Sequence, residues 1–268
     1  MSSDAPVTPK PAATILMCKN GPNGIETFMV VRNYQIDFGS GALVFPGGKL
    51  ADSDSHPEVR GLCDGTDGLD DDALGLQVAA IREVFEECGI LLAREQGSDA
   101  MIPGERLGAL EHYRATLNTG EVGILKFLQK ESLRLACDCL HPYAHWITPK
   151  MVPKRFNTHF FIAFAPDDHV AAHDGEESTD SVWISPEQVI REGAEGKWTL
   201  MFPTRLNLMM LGESGSVEEA IAAANARTLV TVEPWLEQDE GDEPPWLCIP
   251  PEAGYQISRE RAERHLKG

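Results

Sequence analysis

Three carboxylates and one guanidinium crowd into the stretch IREVFEECGI, residues 81–90: Arg82, Glu83, Glu86 and Glu87. An α-helix advances about 100° per residue, so with Arg82 at zero Glu86 falls near ~40°, Glu83 near ~100° and Glu87 near ~140°. Val78, Ile81, Val84, Phe85 and Cys88 fall on the far side, between about 200° and 320°. One face is apolar and the other carries charge of mostly one sign. Solvated helix faces usually mix signs, whereas Glu83 and Glu87 are a like-charged i,i+4 pair, which costs about a few tenths of a kcal/mol. Two readings stay open on the helix alone: an acidic solvent face, or a ligand set. Oxygen ligands without thiol or imidazole suit Mg²⁺ or Mn²⁺. Such a cation would let an acidic chain hold a phosphate-bearing substrate.

The elements around this helix are readable from their punctuation. Residues 12–18 and 25–32 read as strands joined by the turn Gly21-Pro22-Asn23-Gly24. Residues 42–46 read as a short third strand ending at Pro46-Gly47-Gly48, where paired glycines let the backbone approach a ligand or the helix closely. An Asp- and Gly-rich loop follows, and then a helix from 71 to about 93 with Asp70–Asp72 at its start. Residues 104–117 and 121–135 read as two helices, a helical insert within about 104–135. Strands are expected at 143–148, 156–164 and 181–184, and a helix opening at Ser185-Pro186-Glu187. Farther on, 201–212 and 217–226 look helical, TLVTVEPW looks like a strand, and EQDEGDEPP is an acidic loop. The mixture implies an α+β or α/β domain with a C-terminal extension.

Composition narrows the function. The chain has 268 residues and a formal net charge of -19, with no basic run, which argues against nucleic acid and anionic membranes as partners. No apolar stretch approaches the ~20 residues that span a bilayer. The opening MSSDAPVTPKPAA reads as a Pro-rich arm without a signal-peptide core, so a cytoplasmic location is expected. The six cysteines form no CxxC pair, which argues against zinc. Cys137-Asp138-Cys139 reads as incidental, the eight histidines as structural or surface residues, and Leu208-Met209-Met210 as core.

Taken together, Arg82-Glu83-Val84-Phe85-Glu86-Glu87-Cys88-Gly89-Ile90 and the preceding Phe45-Pro46-Gly47-Gly48 resemble the Nudix box, G-x5-E-x7-R-E-U-x-E-E-x-G-U, where U is a bulky aliphatic residue. Every fixed position of the second half is present. The first half departs from the pattern: Asp54 stands at the box glutamate, and 27 residues separate it from Arg82 where the family has seven. An insertion at about 55–74 therefore interrupts the box. FPGGxLxxxD, the insertion and AIREVFEECGILL together resemble one Nudix branch, which includes the peroxisomal coenzyme A diphosphatase of mammals and many bacterial relatives. AHWITP at 144–149, KRFNTHFFIA at 154–163 and the DGEES run ending at Trp183 are similar to the same branch.

The resemblance implies a Nudix fold, a mixed β-sheet in an α/β/α sandwich. It implies an N-terminal arm at 1–11, a Nudix domain at 12–210 and an extension at 211–268 packed on that domain. It implies Mg²⁺- or Mn²⁺-dependent hydrolysis of a diphosphate, with metal held by Glu83, Glu86, Glu87 and Asp54, directly or through water. Arg82 would orient a glutamate, and Gly47, Gly48 and Gly89 would shape the loops. Arg32, Gly48, Arg155 and Glu177 are candidates for substrate contact; for the two arginines the competing reading is a surface salt bridge, and for Glu177 a solvated loop charge. The expected partner is a small-molecule nucleotide, with a homodimer left open. Coenzyme A or acyl-coenzyme A leads as substrate. ADP-ribose, NADH and dinucleoside polyphosphates are the enzymatic alternative, and a non-catalytic nucleotide sensor is the alternative of another class.

Overall fold

The computed structural model describes residues 7–33, 41–171, 173, 178–239, 241 and 243–262. In chain order the elements are β1 (Lys10–Gly21), β2 (Gly24–Arg32), β3 (Leu43–Val44), β4 (Gly47–Lys49), α1 (Asp71–Cys88), β5 (Ala93–Glu95), α2 (Gly104–Leu110), α3 (Tyr113–Asn118), α4 (Ile124–Glu131) and β6 (Leu133–Leu135). There follow β7 (His141–Ile147), β8 (Phe156–Phe164), β9 (Ser178–Ile184), α5 (Pro186–Ala194), α6 (Phe202–Leu211), α7 (Val217–Ala226), β10 (Thr231–Val232), β11 (Trp235–Glu237), β12 (Trp246–Cys248) and β13 (Arg259–Arg261).

The long strand β1 organises the main sheet. Its last residues, Cys18–Gly21, pair antiparallel with β2, while Ala12–Thr14 pair antiparallel with the short β4. Its other edge runs parallel to β8 along nine register pairs. The order β10-β7-β8-β1-β2-β3, with β9 on β2, makes a mixed sheet. Side chains of β1 alternate between two cores: Ala13, Ile15 and Met17 join α1 and the helical insert, and Leu16 and Cys18 join α5, α6 and α7. Both faces are covered, so β1 reads as a nearly continuous apolar run. This is the expected α+β class, a sheet between two helical layers. On the first face Phe85 of α1 stacks on Phe127 of α4, with ring centroids 5.7 Å apart. On the second, Leu208 and Met210 are core residues, as expected from their run.

Several boundaries differ from the sequence reading. The helix expected to reach 93 stops at Cys88, because Gly89 takes a left-handed conformation (φ 69°) and donates its N–H to the Phe85 carbonyl. The buried Ile90, Leu91 and Leu92 then lead into β5, which pairs with β6. For the same reason the second insert helix ends at Glu131, where Ser132 turns left-handed (φ 55°) and Leu133–Leu135 become a strand. The first insert helix is two pieces, α2 and α3. The expected strand at 42–46 shortens to Leu43–Val44, and TLVTVEPW divides into β10 and part of β11. The loop after β4 contains two 3-10 turns, Asp52–Ser55 and Pro57–Leu62.

Beyond α6, the chain stays attached to the main sheet. β10 extends it by pairing parallel with β7. Trp146 Nε1 donates to Tyr255 Oη at 2.8 Å, and β11, β12 and β13 form a small antiparallel sheet. Gly89→Ala should lower unfolding free energy by about 1–2 kcal/mol, the cost of a left-handed L-residue. A chemical denaturation midpoint unchanged from the parent would show that the helix end can relax.

Candidate active site

Arg82 lies under the surface at one edge of the charged helix face, 6% exposed. Its Nε and Nη2 each donate to Asp54 at 2.8 Å, one to each carboxylate oxygen. Nη1 faces Glu86 at 3.0 and 3.1 Å and Glu83 Oε1 at 3.0 Å. Nη2 also donates to the Lys49 carbonyl at the end of β4, 2.9 Å away. A planar fork with five donors suits this kind of multidentate grip. The charged face is thus no solvent face: Asp54, Arg82, Glu86 and Glu87 are all at most 9% exposed.

The glycines explain how β4 comes so close to α1. Gly47 sits at φ 154°, and a Cβ there would strike the backbone of Ala13 and Thr14. Its N–H donates to Glu87 Oε2 at 3.1 Å. A Cβ on Gly48 would collide with the Glu83 carboxylate, so Glu83 lies directly on the strand. Gly89 ends the helix that carries all three glutamates. Val84, Phe85 and Cys88 anchor the opposite side of that helix in the core, so the carboxylates are held in fixed relation by one rigid element.

The insertion does not separate the two halves of the box. Ser55 lies against Gly75 in the second turn of α1, where a Cβ would meet Ser55 Oγ at 2.5 Å. The excursion between these two residues therefore closes on itself. It is fastened further by Arg60, which donates to the Leu69 carbonyl at 3.0 Å and pairs with Asp71 at 2.7 Å. Asp54 is returned to Arg82 in spite of the added residues. In this arrangement both of its oxygens accept from Arg82, and Oδ2 also accepts the Ala51 N–H at 2.8 Å. Asp54 fixes the guanidinium and the first 3-10 turn.

Three carboxylates share one guanidinium, and the deficit of positive charge is felt at Glu86. Burial pushes its carboxyl up to about 7, against the pull of Arg82, with Glu83 and Asp54 adding to the rise. Arg82 is held more firmly protonated: its bond to Asp54 and the surrounding carboxylates outweigh burial. Among the described residues no three such side chains converge on one point; the carboxylates are turned to Arg82 and to the β4 backbone instead. It is the oxygen-only donor set and the unbalanced negative charge that fit a divalent cation at this face, with Glu83, Glu86 and Glu87 as the residues able to hold it.

Arg155 is buried and fully engaged: Nε donates to the Thr148 carbonyl, Nη1 to the Val7 carbonyl and Nη2 to Glu233. In this structure it acts as an internal strut between these three segments. Arg32 ends β2 half-buried, its Nε without a partner among the described residues. Glu177 lies outside the described residues. Two contributors escape a reading of the sequence. Arg114 of α3 donates from Nε to the Glu86 carbonyl at 3.0 Å, tying down the last turn of α1; nothing in its sequence neighbourhood marks it. Gly75 does carry a signal, a lone glycine inside a helical pattern.

The titration of this face should be visible in the metal-free protein. Glu86 has its folded pKa above the ordinary 4.5. Its contribution to stability is therefore fully present below that value and lost as pH rises through about 7. Unfolding curves in chelator across this range should show the decline, on the order of 3 kcal/mol at most, and Glu86→Gln should flatten it. Asp54→Ala leaves a buried guanidinium short of a partner and should cost about 3 kcal/mol of stability. Parent-like unfolding of that variant would show that Asp54 does not anchor Arg82.

Comparison with known proteins agrees with this geometry. Residues 65–210 match the family model described as the NUDT19 Nudix domain. A Caenorhabditis elegans protein named as nudix hydrolase 7 is 26% identical over 202 residues, covering 75% of this chain and 60% of the relative. Human acyl-coenzyme A diphosphatase NUDT19 is 25% identical over 195 residues, covering 70% of this chain and 50% of the human protein. The chain thus spans between half and three fifths of the curated relatives it matches. The crystal structure of a Nudix hydrolase from Alicyclobacillus acidocaldarius superimposes with a TM-score of 0.69 at 26% identity, covering 84% of this chain and 98% of that one. With over half its residues matched to that family, and with the box carboxylates gathered on one helix around Arg82, the chain belongs to the Nudix hydrolases.

Proposed function

We propose that this chain hydrolyses the diphosphate bond of a nucleoside diphosphate linked to a second moiety. The substrate class is coenzyme A or its acyl esters, giving 3′,5′-ADP and (acyl-)4′-phosphopantetheine. The observation that carries the reaction class is the set of Glu83, Glu86 and Glu87, held on one anchored helix beside Gly47 and Gly48 and underbalanced by a single guanidinium. Such a site repels a diphosphate unless cations enter with it. A bound Mg²⁺ or Mn²⁺ would neutralise phosphate oxygens and make water a better nucleophile near neutral pH. The substrate reading is supported by the similarity to the human acyl-coenzyme A diphosphatase and by the segments at 144–149 and 154–163.

The chain's own groups have separable tasks. Arg82, fixed by Asp54 and the Lys49 carbonyl, sets the position of Glu86 and Glu83. The Gly47 N–H sets Glu87. Gly48 offers backbone without a side chain, which leaves room for the Glu83 carboxylate to lie on the strand. Attack of water on one phosphorus breaks the P–O–P bridge and leaves two phosphate monoesters; the proton lost from water is taken up by a carboxylate or by solvent.

Activity should vanish in excess chelator and return with Mg²⁺ or Mn²⁺. Glu87→Gln should lose most of the rate, more than about 100-fold, and Asp54→Ala should lose less, within the ~10- to 100-fold typical of groups that orient ligands. Chromatography of products from a panel of coenzyme A, acetyl-coenzyme A, ADP-ribose, NADH and diadenosine polyphosphates decides the substrate. Efficient turnover of ADP-ribose or NADH with coenzyme A left intact would overturn the coenzyme A reading. Metal-independent turnover would overturn the metal role.

A further inference from the structure

The strand register draws a line across the sheet, starting at the carboxylates. Gly48, which bears Glu83, pairs with Ala13; Ala13 pairs with His159; His159 pairs with His145; and His145 pairs with Thr231. Directly paired residues place their side chains on the same face. Ala13 belongs to the α1 core, as does Phe161, two residues beyond His159 on β8. The two histidines therefore lie on the α1 side of the sheet, and their rings stack with centroids 4.0 Å apart. At about 4.8 Å per strand, His159 lies about 10 Å and His145 about 14 Å from Gly48. His159, His145 and Asn157 are all half-buried, so part of each remains open to the α1 side.

We propose that this row, with His159 at its centre, is the surface that takes the nucleoside half of the substrate; the proposal rests on the diphosphate hydrolase reading above. The chemistry of the row favours a neutral, hydrogen-bonding group. His145 is held in place from both ends: Nε2 meets Asn157 Oδ1, and Nδ1 meets Thr231 Oγ1 at 2.8 Å. Both ring nitrogens of His145 are thereby engaged, which fixes the orientation of the ring. The ring stacked on it, His159, forms no hydrogen bond with described residues. Burial and the neighbouring His145 lower its pKa to about 4, so it is neutral near pH 7. A neutral imidazole offers one donor and one acceptor, and the edge of a nucleobase offers the same pair. The roughly 10 Å from Gly48 is a distance that a sugar and base can bridge from a phosphate held at the box.

The test is binding of ADP in Mg²⁺ by calorimetry, which needs no turnover. His159→Leu keeps the bulk of the ring without its hydrogen bonds and should raise the ADP Kd about tenfold, the worth of one lost hydrogen bond at the upper end of its range. His159→Gln restores a donor and an acceptor and should return to within about threefold of the parent; it is also the variant to rely on if the leucine form melts early. An unchanged Kd in His159→Leu overturns the proposal, as does a parent that does not bind ADP. Weakened binding of 4′-phosphopantetheine with ADP binding intact also overturns it, because the row would then serve the other half of the substrate. Turnover of coenzyme A is read separately. A chain whose ADP affinity depends on His159 but which cleaves no diphosphate loses the proposed reaction and keeps this surface. A chain that cleaves coenzyme A but ignores His159 keeps the reaction and loses the surface.

Discussion

Everything near the site is arranged around a guanidinium that has been taken out of water. An isolated buried cation would be costly, and Arg82 is tolerable only because every direction it points in meets an acceptor. Those acceptors come from three separate pieces of chain: the turn after β4, the end of β4 itself, and the next turn of α1. The requirement to satisfy Arg82 thus holds the strand, the turn and the helix in one arrangement. The glutamates gain their positions as a consequence. Glu86 and Glu83 are set by the same fork, and Glu87 by the strand that the fork holds down.

The same constraint explains why the insertion is tolerated. Loop closure costs only slowly more as a loop lengthens. The ends of this loop are brought together by contacts that any such loop would need: Asp54 on Arg82 and Ser55 against Gly75. The added residues form a 3-10 turn, the start of α1 and an ion-paired edge. There Asp64 meets Arg94 and Arg134, away from the glutamates. A site can keep its geometry when sequence spacing within its motif is lost, provided that the contacts at the break are strong.

Much of this was legible in the sequence, and for physical reasons. The glutamates and the apolar face of α1 follow from a 3.6-residue period and the hairpin from its Gly-Pro-Asn-Gly turn, while the layer order came with the resemblance that the box carries. What stayed hidden depended on partners distant in sequence. Asp54 occupies a ligand's place in the motif, and its two bonds to Arg82 become visible only in the fold. Arg155 looked like a phosphate contact because arginine suits phosphates, yet its partners are a carbonyl at residue 7 and a carboxylate at residue 233. The histidines at 145 and 159 lack any ligand spacing along the chain, and they become neighbours only through strand register. The helix ends at 88 and 131 were set by single left-handed residues, one of which, a serine, carries no warning in its type.

Arg155 has one more implication, for what counts as the smallest working unit. Its side chain joins the start of β8 to a segment before β1 and to a segment after β10, both outside the residues that carry the family motifs. A chain shortened to the motif-bearing span would leave a buried guanidinium with two of its three acceptors gone, at the strand that leads into Asn157 and His159. Val7 and Glu233 therefore help to complete the interior beside the sheet, although neither belongs to a motif.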